Sequence, residues 1–286
     1  MLFGGKLPTL LKGVGDLVLI RWYIEVFLFL LAGGVITYGM ISALGMWIMA
    51  RPRTLAMRLL ALCLILLCST IGHEALLLGG GYDKFPSLRF LPVCLSLAVG
   101  PVFFHYVKAR LYPAFRLRRK DIKHFLPAIG QVSAYVALWV QPVALQDDLW
   151  NGFYRYYLHP IENLLFVITG LAYLYFAYRF VKHEIGVRHK DEGLLVALRL
   201  KRTTKVLALF LAFYAGYLID DTVRRLLLLR AQTDMTWLSY LSFAALLGML
   251  VWLSLFAWLN EFWWPRRHRL SVRRLLGGSF SHERDH

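Results

Sequence analysis

Stretches of about 20 mainly apolar residues, the length a helix needs to cross a bilayer, recur along this chain. About seven qualify, near 24–49, 54–79, 88–109, 123–142, 161–181, 204–223 and 237–260. No other feature constrains the fold so strongly. In hydrocarbon every backbone N–H and C=O must find a partner within the protein, so long apolar runs of this kind fold as helices. The 286 residues are 58% hydrophobic, above the roughly 45–50% of soluble domains. The expected fold is all-α: an integral membrane bundle of about seven transmembrane helices, formed by residues 24–264. Residues 1–23 read as an interfacial amphipathic lead-in. There Leu10, Leu11, Val14, Leu17, Val18 and Ile20 share one helical face, while Lys12, Asp16 and Arg21 interrupt the apolar run. No small-residue cleavage site follows a short apolar core, so a cleavable signal is not expected. Residues 265–286 read as a short basic cytoplasmic tail.

The charge balance, 33 Lys and Arg against 17 Asp and Glu, gives +16. In a soluble chain that would suggest nucleic acid, but here the charge follows the loops. Arg51, Arg53 and Arg58 follow the first span; Lys108, Arg110, Arg116, Arg118, Arg119, Lys120 and Lys123 follow the third. The loop after the fifth and the tail after the seventh are equally basic, and the alternate connections are poorer in Lys and Arg. The positive-inside rule then places the N-terminus outside and the C-terminus in the cytoplasm, with no direct nucleic-acid partner. Trp150, Phe153, Tyr154, Tyr156 and Tyr157 read as aromatic anchors at the outer interface, because each has an apolar body and a polar handle.

Ionisable residues inside apolar spans are costly and point by default to a site. Arg58, Lys108 and Lys123 are near enough to span ends to snorkel. The candidate ligand-binding set is on the outer half: His73 and Glu74 in GHEALL, His159 and Glu162 in LHPIEN, and Asp220 and Asp221 at the end of the sixth span. These side chains are suitable metal ligands, yet the HExxH pattern is absent. Pro160 makes LHPIEN look like a helix start, where Glu162 would serve the macrodipole. No metal ligand set is therefore assigned and no cofactor is expected, with a metal at the outer set kept as the alternative. Haem between paired histidines needs two at equal depth. His105 and His124 match in depth, but His124 opens its helix, where an interfacial role is more ordinary. Cys63, Cys68 and Cys94 have no paired spacing, so neither disulfide nor zinc knuckle is expected. Gly33, Gly34, Gly39 and Gly45 give the first span a thin face suited to close packing or a homodimer contact. Gly79-Gly80-Gly81 reads as a turn.

Residues 89–127 carry Arg89, Leu91-Pro92, Gly100-Pro101-Val102-Phe103-Phe104-His105-Tyr106 and, after a basic loop, His124-Phe125-Leu126-Pro127. This resembles the seven-transmembrane sensor region of bacterial membrane-bound AraC-type regulators, whose third and fourth spans read R, LP, GPLLYxY and HFLPF. The Leu198-Arg199-Leu200-Lys201-Arg202 entry to the sixth span is similar as well. The resemblance implies a membrane sensor. Only twenty-odd residues follow the seventh span, where a DNA-binding region would need about 100. That leaves the DNA-binding half unaccounted for, and signalling would have to pass through another polypeptide.

The expected function is thus a stand-alone sensor, signalling or accessory protein, relaying a periplasmic or bilayer signal to a separate signalling or membrane protein. The alternative is an integral-membrane metal-dependent enzyme or cofactor protein using the outer His and carboxylate set. No catalytic residue is assigned. A transporter ranks last, since neither repeat symmetry nor broken-helix signals are visible.

Overall fold

A computed structural model describes residues 7–49, 55–187, 192–228 and 237–263. The side chains of residues 7–22 and 219–239 lie outside the described set, as does the tail 265–286. The described residues are mainly helical and contain no strand. In chain order they form α1 (Leu7–Met49), α2 (Leu55–Leu78), a short α3 (Gly81–Lys84), α4 (Val99–Leu111), α5 (Leu126–Trp139), α6 (Val143–Leu149), α7 (His159–Val187), α8 (Glu192–Leu228) and α9 (Trp237–Ala257). Four helical stretches are long and apolar enough to cross a membrane: Val26–Ile48, Leu55–Leu78, Val143–Val187 and Tyr240–Asn260. That is the layout of a multi-pass membrane protein.

α1 is 43 residues long, about 65 Å at 1.5 Å per residue, against roughly 30 Å of hydrocarbon. Its backbone stays helical through residue 23, so the expected lead-in and first span form one element. α2 ends where the sequence places a turn. Gly80 takes φ 63°, a left-handed conformation that only glycine adopts at no steric cost.

Two expected spans are shorter as α-helices than their apolar runs. In the run 88–109, α-helix begins only at Val99, giving 13 residues, after a 3-10 turn at Ser96–Ala98. Pro86 and Pro92 explain the delay, since each lacks an N–H and biases the preceding residue away from helix. Phe90 between them has φ 56°. In the run 123–142, a 3-10 helix at Arg119–Phe125 leads into the 14 residues of α5. The fifth expected span begins earlier than read from the sequence: the helix is continuous from Val143 to Val187 through a π-helical segment at Trp150–Leu158. The wider π winding, in which the His159 N–H reaches the Tyr154 carbonyl, accommodates Pro160, which has no N–H of its own. LHPIEN is therefore not a helix start, and Glu162 does not serve as a terminal cap.

α2 is central, packing on α1, α4 and α9; α7 packs on α8 and α4, and α8 on α9. Small residues set the close approaches. A Cβ on Gly39 would meet Cys68 Sγ at 2.7 Å, and one on Gly170 would meet Leu211 Cδ2 at 2.6 Å. Gly33 and Gly34 face open space. Cys63, Cys68 and Cys94 are buried free thiols. α5 is different: of its 14 residues only Ala128, Gln131 and Tyr135 are buried. Two of these three are polar anchors, so hydrogen bonds attach α5 at least as much as apolar packing does.

A candidate polar relay and a histidine–aspartate centre

Four of the six residues expected to form an outer site come together. His73 and Glu74 near the end of α2 face His159 and Glu162 at the start of α7. His159 Nε2 donates to Glu74 Oε1 at 3.1 Å, and the His73 and His159 rings lie 6.0 Å apart. Asn163, one turn beyond His159, has its amide nitrogen 3.2 Å from His159 Nε2. Asp220 and Asp221 continue the backbone of α8, but their side chains lie outside the described residues.

Three tyrosines join His73 to Glu162. His73 Nδ1 is 2.6 Å from the Tyr82 hydroxyl and His73 Nε2 is 3.0 Å from the Tyr154 hydroxyl. The Tyr154 and Tyr135 hydroxyls are 2.7 Å apart, and Tyr135 donates to Glu162 Oε2 at 2.8 Å. Donor counting gives this chain one direction. Tyr135 spends its only proton on the carboxylate, so it accepts from Tyr154. Tyr154 in turn accepts from His73 Nε2–H, leaving His73 Nδ1 to accept from Tyr82. The order Tyr82, His73, Tyr154, Tyr135, Glu162 is an unbroken relay across α3, α2, the π segment, α5 and α7. Tyr82 lies outside the apolar spans, and burial raises its phenol pKa, which keeps it a neutral donor.

Glu162 is held from its other side too. Gln131 Nε2 donates to Glu162 Oε1 and to Ser96 Oγ (3.0 Å), while Gln131 Oε1 accepts the Leu97 N–H at 3.2 Å. A buried carboxylate is tolerated only when its lone pairs are satisfied, and here Tyr135 and Gln131, both on α5, supply the donors. Both ring nitrogens of His73 are likewise engaged by hydroxyls. Each of the four described members of the outer set thus has a protein partner.

A packed aromatic wall closes the relay. Trp150 stacks on Tyr154 with centroids 4.6 Å apart, and Phe90 meets both edge-on at 5.4 and 5.3 Å. Trp150 and Tyr154 are fully buried, whereas Phe153, Tyr156 and Tyr157 are exposed. This corrects the reading of all five as interface anchors: Trp150 and Tyr154, four apart, form the inward face. Arg89 is buried beside this wall. It donates to the Tyr82 carbonyl at 3.0 Å, pairs with Asp147, and lies 5.7 Å from the Trp150 ring. The sequence shows Tyr82, Tyr135, Gln131, Asn163 and Arg89 plainly but not that they converge. Only the i, i+4 spacing of Trp150 and Tyr154 hints at the inward face.

A second centre lies between the middle of α4 and the lead-in to α5. His105 on α4, and Asp121 and His124 in the 3-10 lead-in to α5, each bring one ligand-type atom to within 4.8 Å of the others. His105 is completely buried. Its Nδ1–H donates to the Pro101 carbonyl at 2.7 Å, and its Nε2 has no hydrogen-bond partner, lying 4.0 Å from Asp121 Oδ1. Asp121 Oδ2 accepts the Arg118 backbone N–H at 2.8 Å, and that bond keeps its carboxyl below the usual carboxylate range. His124 Nδ1 is 3.0 Å from the Tyr173 hydroxyl. Several positions of the family-like motif meet here. Pro101 supplies the carbonyl and His124 a ring, and Pro127 stands in the first turn of α5. Gly100 lets Tyr173 approach, since a Cβ there would lie 3.2 Å from Tyr173 Cβ. Tyr106 is buried in the core, Arg89 belongs to the aromatic wall, and Pro92 precedes α4.

No family model matches the chain, and no curated protein or solved structure matches it. Among the described residues, fold and sites together define a helical multi-pass membrane architecture with a largely buried Glu and Tyr relay that runs through the half-buried His73.

Proposed function

We propose that this protein is a signalling or accessory protein of the bacterial inner membrane. It has seven spans with the N-terminus outside and the C-terminus in the cytoplasm, takes up a signal at its outer face or within the bilayer, and passes a helix displacement to a partner protein. The observation that carries this reading is the one-directional chain from Tyr82 to Glu162, together with the way α5 is attached. A proton or polar ligand arriving at Tyr82 or His73 reverses or breaks one hydrogen bond, and donor counting then forces a change in every bond that follows. The chain ends on the carboxylate that Gln131 and Tyr135 hold, so its rearrangement changes how firmly α5 is docked. α5 runs to the basic segment 116–123, the side that the charge alternation assigns to the cytoplasm. The resemblance of residues 89–127 to the sensor region of membrane-bound AraC-type regulators supports the same reading.

Cross-linking in native membranes tests it. A defined partner should be captured by the wild-type chain, and Tyr154→Phe, which removes the middle of the relay, should change its yield several-fold. Recovery of no partner, together with a reaction catalysed by the purified protein, would sink the proposal.

A further inference from the structure

We propose that His105, Asp121 and His124 form a binding site for a divalent transition-metal ion of the zinc class, distinct from the outer relay. The site has the chemistry of a two-imidazole, one-carboxylate donor set, which suits zinc and its first-row neighbours. Three observations converge. One ligand-type atom from each residue lies within 4.8 Å of the others. His105 Nε2 is fully buried with no hydrogen-bond partner, an arrangement that is costly for a polar atom unless something else completes it. Finally, each ligand is already oriented from behind. Pro101 C=O takes the His105 Nδ1 proton, the Arg118 N–H fixes one Asp121 oxygen, and Tyr173 engages His124 Nδ1.

The outer-shell bonds also set the tautomers. With Nδ1–H donated to Pro101, His105 presents an Nε2 lone pair, as a metal requires. Tyr173 Oη lies 3.3 Å from the His124 carbonyl, to which it donates. It therefore accepts from His124 Nδ1–H, which leaves the Nε2 lone pair of His124 as well. Ligands on a zinc ion at 2.0–2.1 Å stand roughly 3.4 Å apart, so the 4.0 Å between His105 Nε2 and Asp121 Oδ1 closes by a small side-chain rotation. The ion would tie α4 to the lead-in of α5, ahead of Gln131 and Tyr135 in the same helix.

The test uses the full-length protein in detergent micelles, stripped with a chelator and titrated with Zn²⁺ against a chromophoric competitor. The expected result is one ion per chain at micromolar or lower free Zn²⁺, with thermal stabilisation. His105→Gln, Asp121→Asn and His124→Gln should each weaken binding by at least tenfold, and Tyr173→Phe by about tenfold as an outer-shell change. Exposed His183→Gln should leave binding unaltered. Co²⁺ bound to the wild-type chain gives a second readout that needs no variant: visible ligand-field bands without thiolate charge transfer. Substoichiometric binding by the wild-type chain would overturn the proposal. So would binding that survives all three ligand variants and is lost in His159→Gln.

Discussion

Individual polar side chains matter here because so few donors serve each buried acceptor. Glu162 Oε2 takes its hydrogen bond from Tyr135, at 2.8 Å, while the Tyr154 hydroxyl, whose proton goes to Tyr135, lies 3.3 Å away. Tyr135→Phe removes that donor while keeping the ring. It should destabilise the fold by about 1–2 kcal/mol, the scale of a buried hydrogen bond whose partner is stranded. Denaturant titration in micelles checks this, and Tyr156→Phe, which removes an exposed hydroxyl, should stay within about 0.5 kcal/mol of the parent. Phe90 poses a competition. Its φ of 56° costs about 1–2 kcal/mol for a residue with a side chain, while deleting a buried Phe ring costs about 3–5 kcal/mol. Burial wins, so Phe90→Gly should lower stability by roughly 2 kcal/mol despite relieving the backbone. A more stable Phe90→Gly variant would show that the ring does not hold the Trp150 wall.

At the scale of elements, lipid is as apolar as the helices it surrounds, so close packing and hydrogen bonds hold the bundle together. Two glycines separate the kinds of close contact. At Gly170 the obstacle to a Cβ is the end of the Leu211 side chain, 2.6 Å away, and that end can rotate. Helix propensity gains about 1 kcal/mol from Gly to Ala, so Gly170→Ala should be near neutral. At Gly100 the obstacles are Tyr173 Cβ and Cδ2 at 3.2 Å and the Thr169 carbonyl at 3.3 Å, which move only if α4 and α7 separate. Gly100→Ala should cost about 1 kcal/mol net, overpacking outweighing propensity, and should shift Tyr173 away from His124. Thermal unfolding of the two variants side by side decides it. If both are neutral, α4 and α7 are not rigidly apposed.

For the whole molecule, the orientation proposed from the basic loops gives a direct expectation. A single cysteine at Asp83→Cys should react with a membrane-impermeant maleimide in intact spheroplasts. One at Arg118→Cys should react only after permeabilisation. The native thiols are buried and should contribute little background. The opposite labelling pattern would invert the topology and put the relay on the cytoplasmic side.

The sequence by itself determined the helical content and the membrane environment, because apolar length is a local property read within about 20 residues. It also identified His73, Glu74, His159 and Glu162 as candidates, since each breaks an apolar run. What it missed is everything decided across distance. The late start of α4 came from Pro86 and Pro92 acting together with a left-handed Phe90, and the long continuous helix at 143–187 from a π winding that absorbs Pro160. Tyr135 and Tyr154 look like ordinary aromatic residues in sequence. They become relay members only because α5 and the π segment set hydroxyls 19 residues apart at 2.7 Å. His105 and Asp121 likewise meet only through the turn that follows α4. Hydrogen-bond partnership depends on ångström geometry between separate helices, and tertiary packing alone supplies that.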